Sequence, residues 1–301
     1  MTKIRVMSYN IEKGGLSIYK KTGNMDYVNK YINLIKSHRI DIVSFQECKM
    51  RDLDISKIIS KKLGYHHQYF FDKTNYYKNK YYHQSIISKF PIKIVDEKNN
   101  LCRVNINGTL VNIVNIHLDD EPYIPYSLKG IKYPNTPQNV VNKSEAAELS
   151  FVSKSDFIQS LMSDKMITDN PTIIMGDFNE PSHLDYKYIK WKTSKYIMKK
   201  GFVDVARQIY ENATKYPLYT VDLYDKKYSP ERIDIMYCNK GLKPVNFTNI
   251  YNNLSDHVPI VGVIEIVSNA NISGANISGA RTKRSHTKKL RKTKTNNNTK
   301  K

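Results

Sequence analysis

Apolar and polar positions change rhythm several times along this chain, and each change marks an element. Residues 4–10 read as a strand. After Asn24 or Asp26, either of which can open a helix, Tyr27, Tyr31, Leu34 and Ile35 recur at helical spacing. Residues 41–47 predict a short buried strand that ends on a carboxylate, and Asp54 opens a helix with Ile55, Ile58, Ile59 and Leu63 on one side. Strand-like pieces follow at 85–90, 92–95, 101–106 and 109–118. Asn107-Gly108 supplies the two-residue turn that makes the last two an antiparallel hairpin. Residues 119–141, rich in Pro and Tyr, read as a long loop, and its 120–137 stretch is expected to border the strand end at His117 and shape access to it. A helix capped by Asn142 or Ser144 is expected to run to about Met162, with Ala147, Phe151, Ile158 and Leu161 inward. Strands at 171–177, 233–238 and 258–267 complete the set. The order is not a regular βαβ series, and two mainly antiparallel sheets covered by helices account for it better than one doubly wound sheet.

With 301 residues, 40% hydrophobic and 25% charged, the chain has ample material for a core. No stretch approaches the ~18 apolar residues of a membrane span. Polar, strand-like sequence begins at Lys3 with no apolar region before it, so a cleavable leader is not expected. Cys48, Cys102 and Cys238 lie far apart, which excludes a disulfide scaffold or zinc-finger module and leads to the expectation of a reducing, intracellular setting.

Charge is unevenly spread. The formal net charge is +20, and residues 268–301 carry ten Lys and Arg and no acid, leaving +10 for residues 1–267. The tail repeats Asn-Ile-Ser-Gly-Ala and cannot bury enough apolar surface to offset its ordering entropy, so it is expected to be a disordered basic extension beyond a catalytic domain at 1–267. Such an arm can hold a protein near phosphate polymers or address it to a nucleus; a solvated tail is the plainer alternative. Residues 65–82 interleave Tyr with Lys73, Lys78 and Lys80, a pattern that fits base stacking, although strands and a tyrosine-rich loop explain it more simply.

The chemistry gathers at strand ends. Asn10, Glu47 and His117 end three strands; Asp177 and Asn179 lie in Gly-Asp-Phe-Asn, Asp234 in Arg-Ile-Asp, and Asp256-His257 precedes the last strand. Polar residues at neighbouring strand ends can converge on one rim without entering the core. Carboxylates and amides with two His form an oxygen-rich set suited to Mg²⁺ or Mn²⁺ rather than Zn²⁺. Glu12 and Asp119 lie near the same rim and read as loop polarity; His66, His67, His83 and His183 read as ordinary structural histidines.

Ser8-Tyr-Asn-Ile11, Phe45-Gln-Glu47, Ser85-Ile-Ile-Ser-Lys-Phe-Pro-Ile92, Asn115-Ile-His-Leu118, Gly176-Asp-Phe-Asn179, Arg232-Ile-Asp234 and Ser255-Asp-His257-Val-Pro-Ile260 together resemble the endonuclease/exonuclease/phosphatase superfamily, in the order that family keeps. Two departures stand out: His83-Gln84-Ser85 replaces the usual Gly-Asn-Ala, and Ile235 replaces the usual aromatic. The resemblance implies a four-layer α/β/β/α sandwich and divalent-metal hydrolysis of phosphoesters. It implies Asn10, Glu47 and Asp256 at the metal, and Asp177 and Asn179 orienting water and holding phosphate. It also implies Asp234 assisting a catalytic His257, with His117 as the second His of the deoxyribonuclease-I-like and sphingomyelinase-like branches. A Mg²⁺-dependent nuclease is the preferred reading, with nucleic acid as partner and a monomeric chain expected. A phosphoesterase for inositol phosphates or phospholipid headgroups and a catalytically silent binding module are the alternatives.

Overall fold

The computed structural model describes residues 2–70, 83–137, 142–186, 189–223 and 228–267. In chain order its elements are β1 (Thr2–Asn10), α1 (Glu12–Thr22), α2 (Tyr27–Ser37), β2 (Ile42–Gln46), β3 (Lys49–Met50), β4 (Leu53–Asp54), α3 (Ile55–Leu63), β5 (His66–Phe70), β6 (Gln84–Ser88), β7 (Ile92–Asp96), β8 (Leu101–Ile106) and β9 (Thr109–His117). They continue with α4 (Ile124–Ser127), α5 (Lys143–Val152), α6 (Ser155–Ser163), α7 (Lys165–Thr168), β10 (Thr172–Asp177), α8 (Lys192–Lys199), β11 (Val203–Asp204), α9 (Val205–Ile209), β12 (Asp234–Cys238), β13 (Leu242–Asn249) and β14 (Ile260–Ile266).

The strands form two six-stranded sheets, ordered β13-β14-β1-β2-β6-β5 and β11-β12-β10-β9-β8-β7. β1–β2 and β9–β10 pair parallel and every other ladder is antiparallel. Three apolar layers hold them. Ile4, Val6, Ile42, Ile113, Ile173 and Met236 fill the space between the sheets. Met7, Tyr9, Val43 and Phe45 turn outward onto α2 and α3, and Val114, Ile116, Ile174 and Tyr237 turn outward onto α6 and α8. This is the four-layer α/β/β/α sandwich.

The period of two along each strand then decides where polar groups end up. In β1 the inward row Ile4-Val6 continues as Ser8 and Asn10, and in β2 the row begun by Ile42 continues as Ser44 and Gln46. In β9 the row Val111-Ile113 continues as Asn115 and His117, and in β10 Ile173-Met175 continues as Asp177. The inter-sheet space is therefore apolar at one end and polar at the other. Gln46 Nε2 donates to Asn115 Oδ1 at 2.7 Å, and Asn115 Nδ2 donates to the carbonyls of Phe45 and Ser85 at 2.9 and 3.0 Å. These buried amides tie the sheets together at the polar end.

Turn chemistry follows the sequence closely. Asn107 and Gly108 both take positive φ (50° and 91°), as a two-residue hairpin turn requires, and Asp54 caps α3 by accepting from Lys57 N at 3.0 Å. Gly176 has a physical necessity of its own, because a Cβ there would overlap the Ile116 carbonyl of the adjacent strand.

Four expectations need correction. The single helix expected from Asn142 to Met162 is two, α5 and α6. The chain breaks at Ser153–Lys154, where the buried Lys154 ammonium turns inward to donate to the Ser150 carbonyl at 3.2 Å, close to Glu180. α1 was not expected, since its first residues, Lys13, Gly14 and Gly15, have left-handed backbone. β13 was masked by Pro244, which sits at a bulge on an edge strand, a position that tolerates proline. The long loop after His117 contains the helical turn α4. The tail and residues 71–82, with Lys73, Lys78 and Lys80, lie outside the described residues.

Arg232, 2% exposed, anchors the second sheet near its polar end. Its guanidinium donates to Asp185 and Asp204 (Nη2 to Asp204 Oδ2 at 2.6 Å), and Arg207 Nε reaches the same Asp185 at 2.7 Å. Removing one partner of such a buried pair strands the others. Arg232→Ala should lower unfolding free energy by about 3–5 kcal/mol in urea denaturation; a loss below about 1 kcal/mol would show that the network is not structurally important.

Candidate active site

Register brings the first site residues together. Asp177 pairs with His117 on one side and Asp234 on the other, so three residues far apart in sequence form one row across β9, β10 and β12. From the facing sheet Asn10 closes the group: its Nδ2 donates to Asp177 Oδ2 and to Glu47 Oε1, each at 3.2 Å. Its Oδ1 accepts from Glu12 N at 3.0 Å. Asp177 Oδ2 also lies 3.7 Å from His117 Nε2 and 3.6 Å from His257 Nε2.

Glu47 leaves β2 in left-handed backbone (φ 52°) and is fixed by Lys13 N, which donates to Oε2 at 3.0 Å. The left-handed run Glu12 to Gly15 wraps this carboxylate, and a Cβ at Gly15 would strike the Tyr27 ring, so the tight approach needs glycine there. Ser255 Oγ donates to the Asn10 carbonyl at 2.8 Å and accepts from His257 N at 3.2 Å, docking the 255–257 segment on the end of β1. Thr220 Oγ1 accepts from the backbone N–H groups of Ile233 and Asp234, and Val258 N donates to Thr220 O. One loop residue thus stitches together the segments that carry Asp234 and His257.

These groups open on a cavity of about 440 Å³, whose walls include Glu12, Glu47, His117, Asp177, Asn179, Asp256 and His257. Asn10 and Asp234 stand behind it, each touching a residue of the wall. All eight sequence-selected residues therefore meet at one end of the sandwich. Gln84 is buried away from the cavity wall, and Asp119 serves a turn, accepting from Glu121 N at 3.1 Å. Glu12, read from sequence as loop polarity, lies in the wall, and the far wall combines Tyr123, Tyr126 and Tyr133 of the loop after His117 with Asp222 and Tyr228. The Pro- and Tyr-rich composition of 120–137 pointed at part of that wall; Asp222 and Tyr228 carried no signal.

Electrostatics divides the site in two. Around Glu47, burial and repulsion from Asp256 push its carboxyl above the usual range. Glu12 is raised in the same way, by burial and then by Asp256 and Glu47. Around Asp177, burial pushes the carboxyl up to about 6 against the opposing pull of His257. Burial alone would lower the His257 pKa, but Asp234 and Asp177 outweigh it and hold the imidazolium well above its ordinary value. Its Nδ1 meets Asp234 Oδ2 at 2.8 Å. His117, where burial dominates, is lowered toward the neutral form.

Among the described residues, Asp177, Asp234 and His257 bring ligand-type atoms within 4.8 Å of one another. With His257 Nδ1–H directed at Asp234, only Nε2 could bind a metal, and the two aspartates that hold the ring as an imidazolium keep that nitrogen protonated. The Glu12–Glu47–Asp256 group, three mutually repelling oxygen donors with no sulfur, fits a hard divalent cation better. Elsewhere Asp54, Ser56 and His67 cluster, but both oxygens approach the same Nε2 (3.3 and 3.0 Å), so no relay exists and the group caps α3.

A sequence profile of the endonuclease/exonuclease/phosphatase family matches residues 7–257. A curated relative from Caenorhabditis elegans, the uncharacterized protein F14F9.5, is 26% identical over 136 residues, which span 41% of this chain and only 42% of that protein. Among solved structures, the chain is similar to an endonuclease/exonuclease/phosphatase from Beutenbergia cavernae (14% identity, TM-score 0.61, 89% of this chain and 72% of that one). It is also similar to an AP endonuclease from Archaeoglobus fulgidus (18% identity, TM-score 0.57, 87% and 100%). At these identities the structural likeness establishes the fold.

The raised Asp177 pKa has a stability consequence. Its carboxyl, near 3.8 in the unfolded chain and about 6 in the fold, favours folding fully below pH ~4, and that contribution is lost as pH rises through 6. In chelator, Asp177→Asn should flatten the fall in urea stability between pH 4 and 7 by up to about 3 kcal/mol. Identical pH profiles for variant and wild type would remove Asp177 as the group responsible.

Proposed function

The chain belongs to the endonuclease/exonuclease/phosphatase family, and from that membership we propose that it is a Mg²⁺-dependent phosphodiesterase whose substrate is nucleic acid. The family hydrolyses phosphoester bonds as nucleases and phosphatases, typically with a divalent metal. The observation that carries the reading is the convergence of Asn10, His117 and His257 on Asp177 Oδ2, beside a cavity edged by further carboxylates.

Glu47 and Asp256, with Glu12 beside them, would hold the ion. When bound, it neutralises charge on the phosphoryl group as a Lewis acid. Asn10 spends its amide on Glu47 and Asp177 and its carbonyl on Glu12 N, so its role is to fix the ligand and the base in register. The imidazolium of His257 has no free lone pair to act as a base. Asp177 therefore takes the proton of the attacking water, and His257 Nε2–H donates to a phosphoryl oxygen with its charge supported by Asp234. Neutral His117 supplies a second donor. Asn179 N fixes Asp177 Oδ1 at 2.9 Å, and one amide hydrogen of Asn179 goes to the Leu118 carbonyl, which leaves the other for substrate. The positive charge of residues 1–267, with that of the tail, favours a phosphate polymer over a single phosphate.

Plasmid nicking with Mg²⁺ should be abolished by EDTA, and Glu47→Ala or His257→Ala should reduce it about 10²–10⁴-fold with an unchanged circular dichroism spectrum. Near-wild-type nicking by either variant in saturating Mg²⁺ would overturn the site. Turnover of inositol phosphates or sphingomyelin without nicking would replace nucleic acid as the substrate.

A further inference from the structure

We propose that the cleft between α5 and α8 is a second, non-catalytic binding site that takes a nucleotide unit of single-stranded nucleic acid. This open cleft has a volume of about 490 Å³, within the usual ~300–1,000 Å³ of small-molecule sites. Five lysines, Lys143, Lys190, Lys192, Lys195 and Lys199, line it, and no carboxylate does among the described residues. Glu148 on α5 pairs with Lys192. Three of the five recur along one face of α8, whose opposite face buries Thr193, Ser194 and Ile197. The folded layer therefore needs this helix but does not need its lysines.

The floor is aromatic. Phe151 and Tyr196 lie with ring centroids 6.2 Å apart, both half-buried, and Lys200 Nζ sits 5.8 Å from the Tyr196 centroid. A merely solvated basic face would be convex and have no ring surface at its base. A cleft that combines ring faces with ammonium groups suits a base that stacks while its phosphates meet lysine, the recognition mode of sequence-tolerant single-strand binders. A duplex keeps its bases stacked inside, and a bilayer surface would be met by protruding apolar groups rather than a recess. Single-stranded polymer therefore fits best. α8 lies on the second sheet, whose β9, β10 and β12 carry His117, Asp177 and Asp234. The cleft shares no lining residue with the catalytic cavity. The inference rests on the nuclease reading only for the identity of the polymer.

The test uses the full chain. Binding of a fluorescent oligo(dT) is followed by anisotropy in EDTA across a salt series, and hydrolysis of bis(p-nitrophenyl) phosphate is followed in Mg²⁺. Lys190→Glu/Lys195→Glu/Lys199→Glu should weaken oligonucleotide binding at least tenfold near 0.1 M salt and reduce the salt slope by about 2, with hydrolysis of the small ester unchanged. Tyr196→Ala should lower affinity about 5–100-fold and leave the slope alone. Lys20→Glu/Lys30→Glu/Lys61→Glu, on the other helical layer, should have a smaller effect than the cleft variant. Equal losses from both triple variants, or none from the cleft variant, would overturn the proposal. So would wild-type binding to phosphatidylserine vesicles that needs these lysines and is not matched by oligonucleotide binding. Failure of the wild type to hydrolyse the small ester would count against the catalytic reading and leave the binding result interpretable.

Discussion

A single side-chain amide joins the two halves of this molecule where they most repel each other. Asn10, at the end of β1 in one sheet, donates to Glu47 of its own sheet and to Asp177 of the other at equal distances of 3.2 Å. Without that bridge, two largely buried carboxylates would face one another across the sandwich with only histidines between them. Everything behind the amide supports the same arrangement: Gln46 and Asn115 lock the sheets one layer deeper, and apolar rows fill the rest of the interface. The site sits where the apolar rows end, because the strand period that places isoleucine inward also places Asn10, His117, Asp177 and Asp234 inward at the polar end.

This placement makes the sequence unusually legible. Strand ends carrying Asn, Glu, His and Asp could be listed without coordinates, and all of them converge. What stayed hidden depends on backbone conformation or packing rather than on residue type. Glu12 looks like an ordinary loop acid until the left-handed run from Glu12 to Gly15 folds it against Glu47 and Asp256. The α5–α6 break could not be foreseen, because a buried lysine interrupts a pattern that reads as one amphipathic helix. Pro244 obscured β13, and the tyrosine wall of the cavity forms only through contacts such as the Tyr126–Tyr228 stack, 4.7 Å between centroids.

Burial and neighbouring charge shift the two histidine rings and the Asp177 carboxyl in different directions. Asp177 is raised, His257 is raised by its two aspartates, and His117 is lowered. In the mechanism we propose, groups of similar intrinsic character are thereby separated into a base, a cationic donor and a neutral donor, which lets one site serve both proton removal and charge stabilisation near neutral pH. The separation is unfavourable for folding, since an ionised buried carboxylate is held only by its neighbours. Sites of this kind trade stability for function.

The central claim is that the cation belongs to the Glu47 side of this divided site, leaving Asp177, Asp234 and His257 to move protons. Anomalous scattering from a crystal soaked in Mn²⁺ tests it directly. The account predicts a peak within bonding distance of Glu47 and Asp256. A peak on the Asp177–Asp234–His257 trio, with Glu47 unligated, would contradict it.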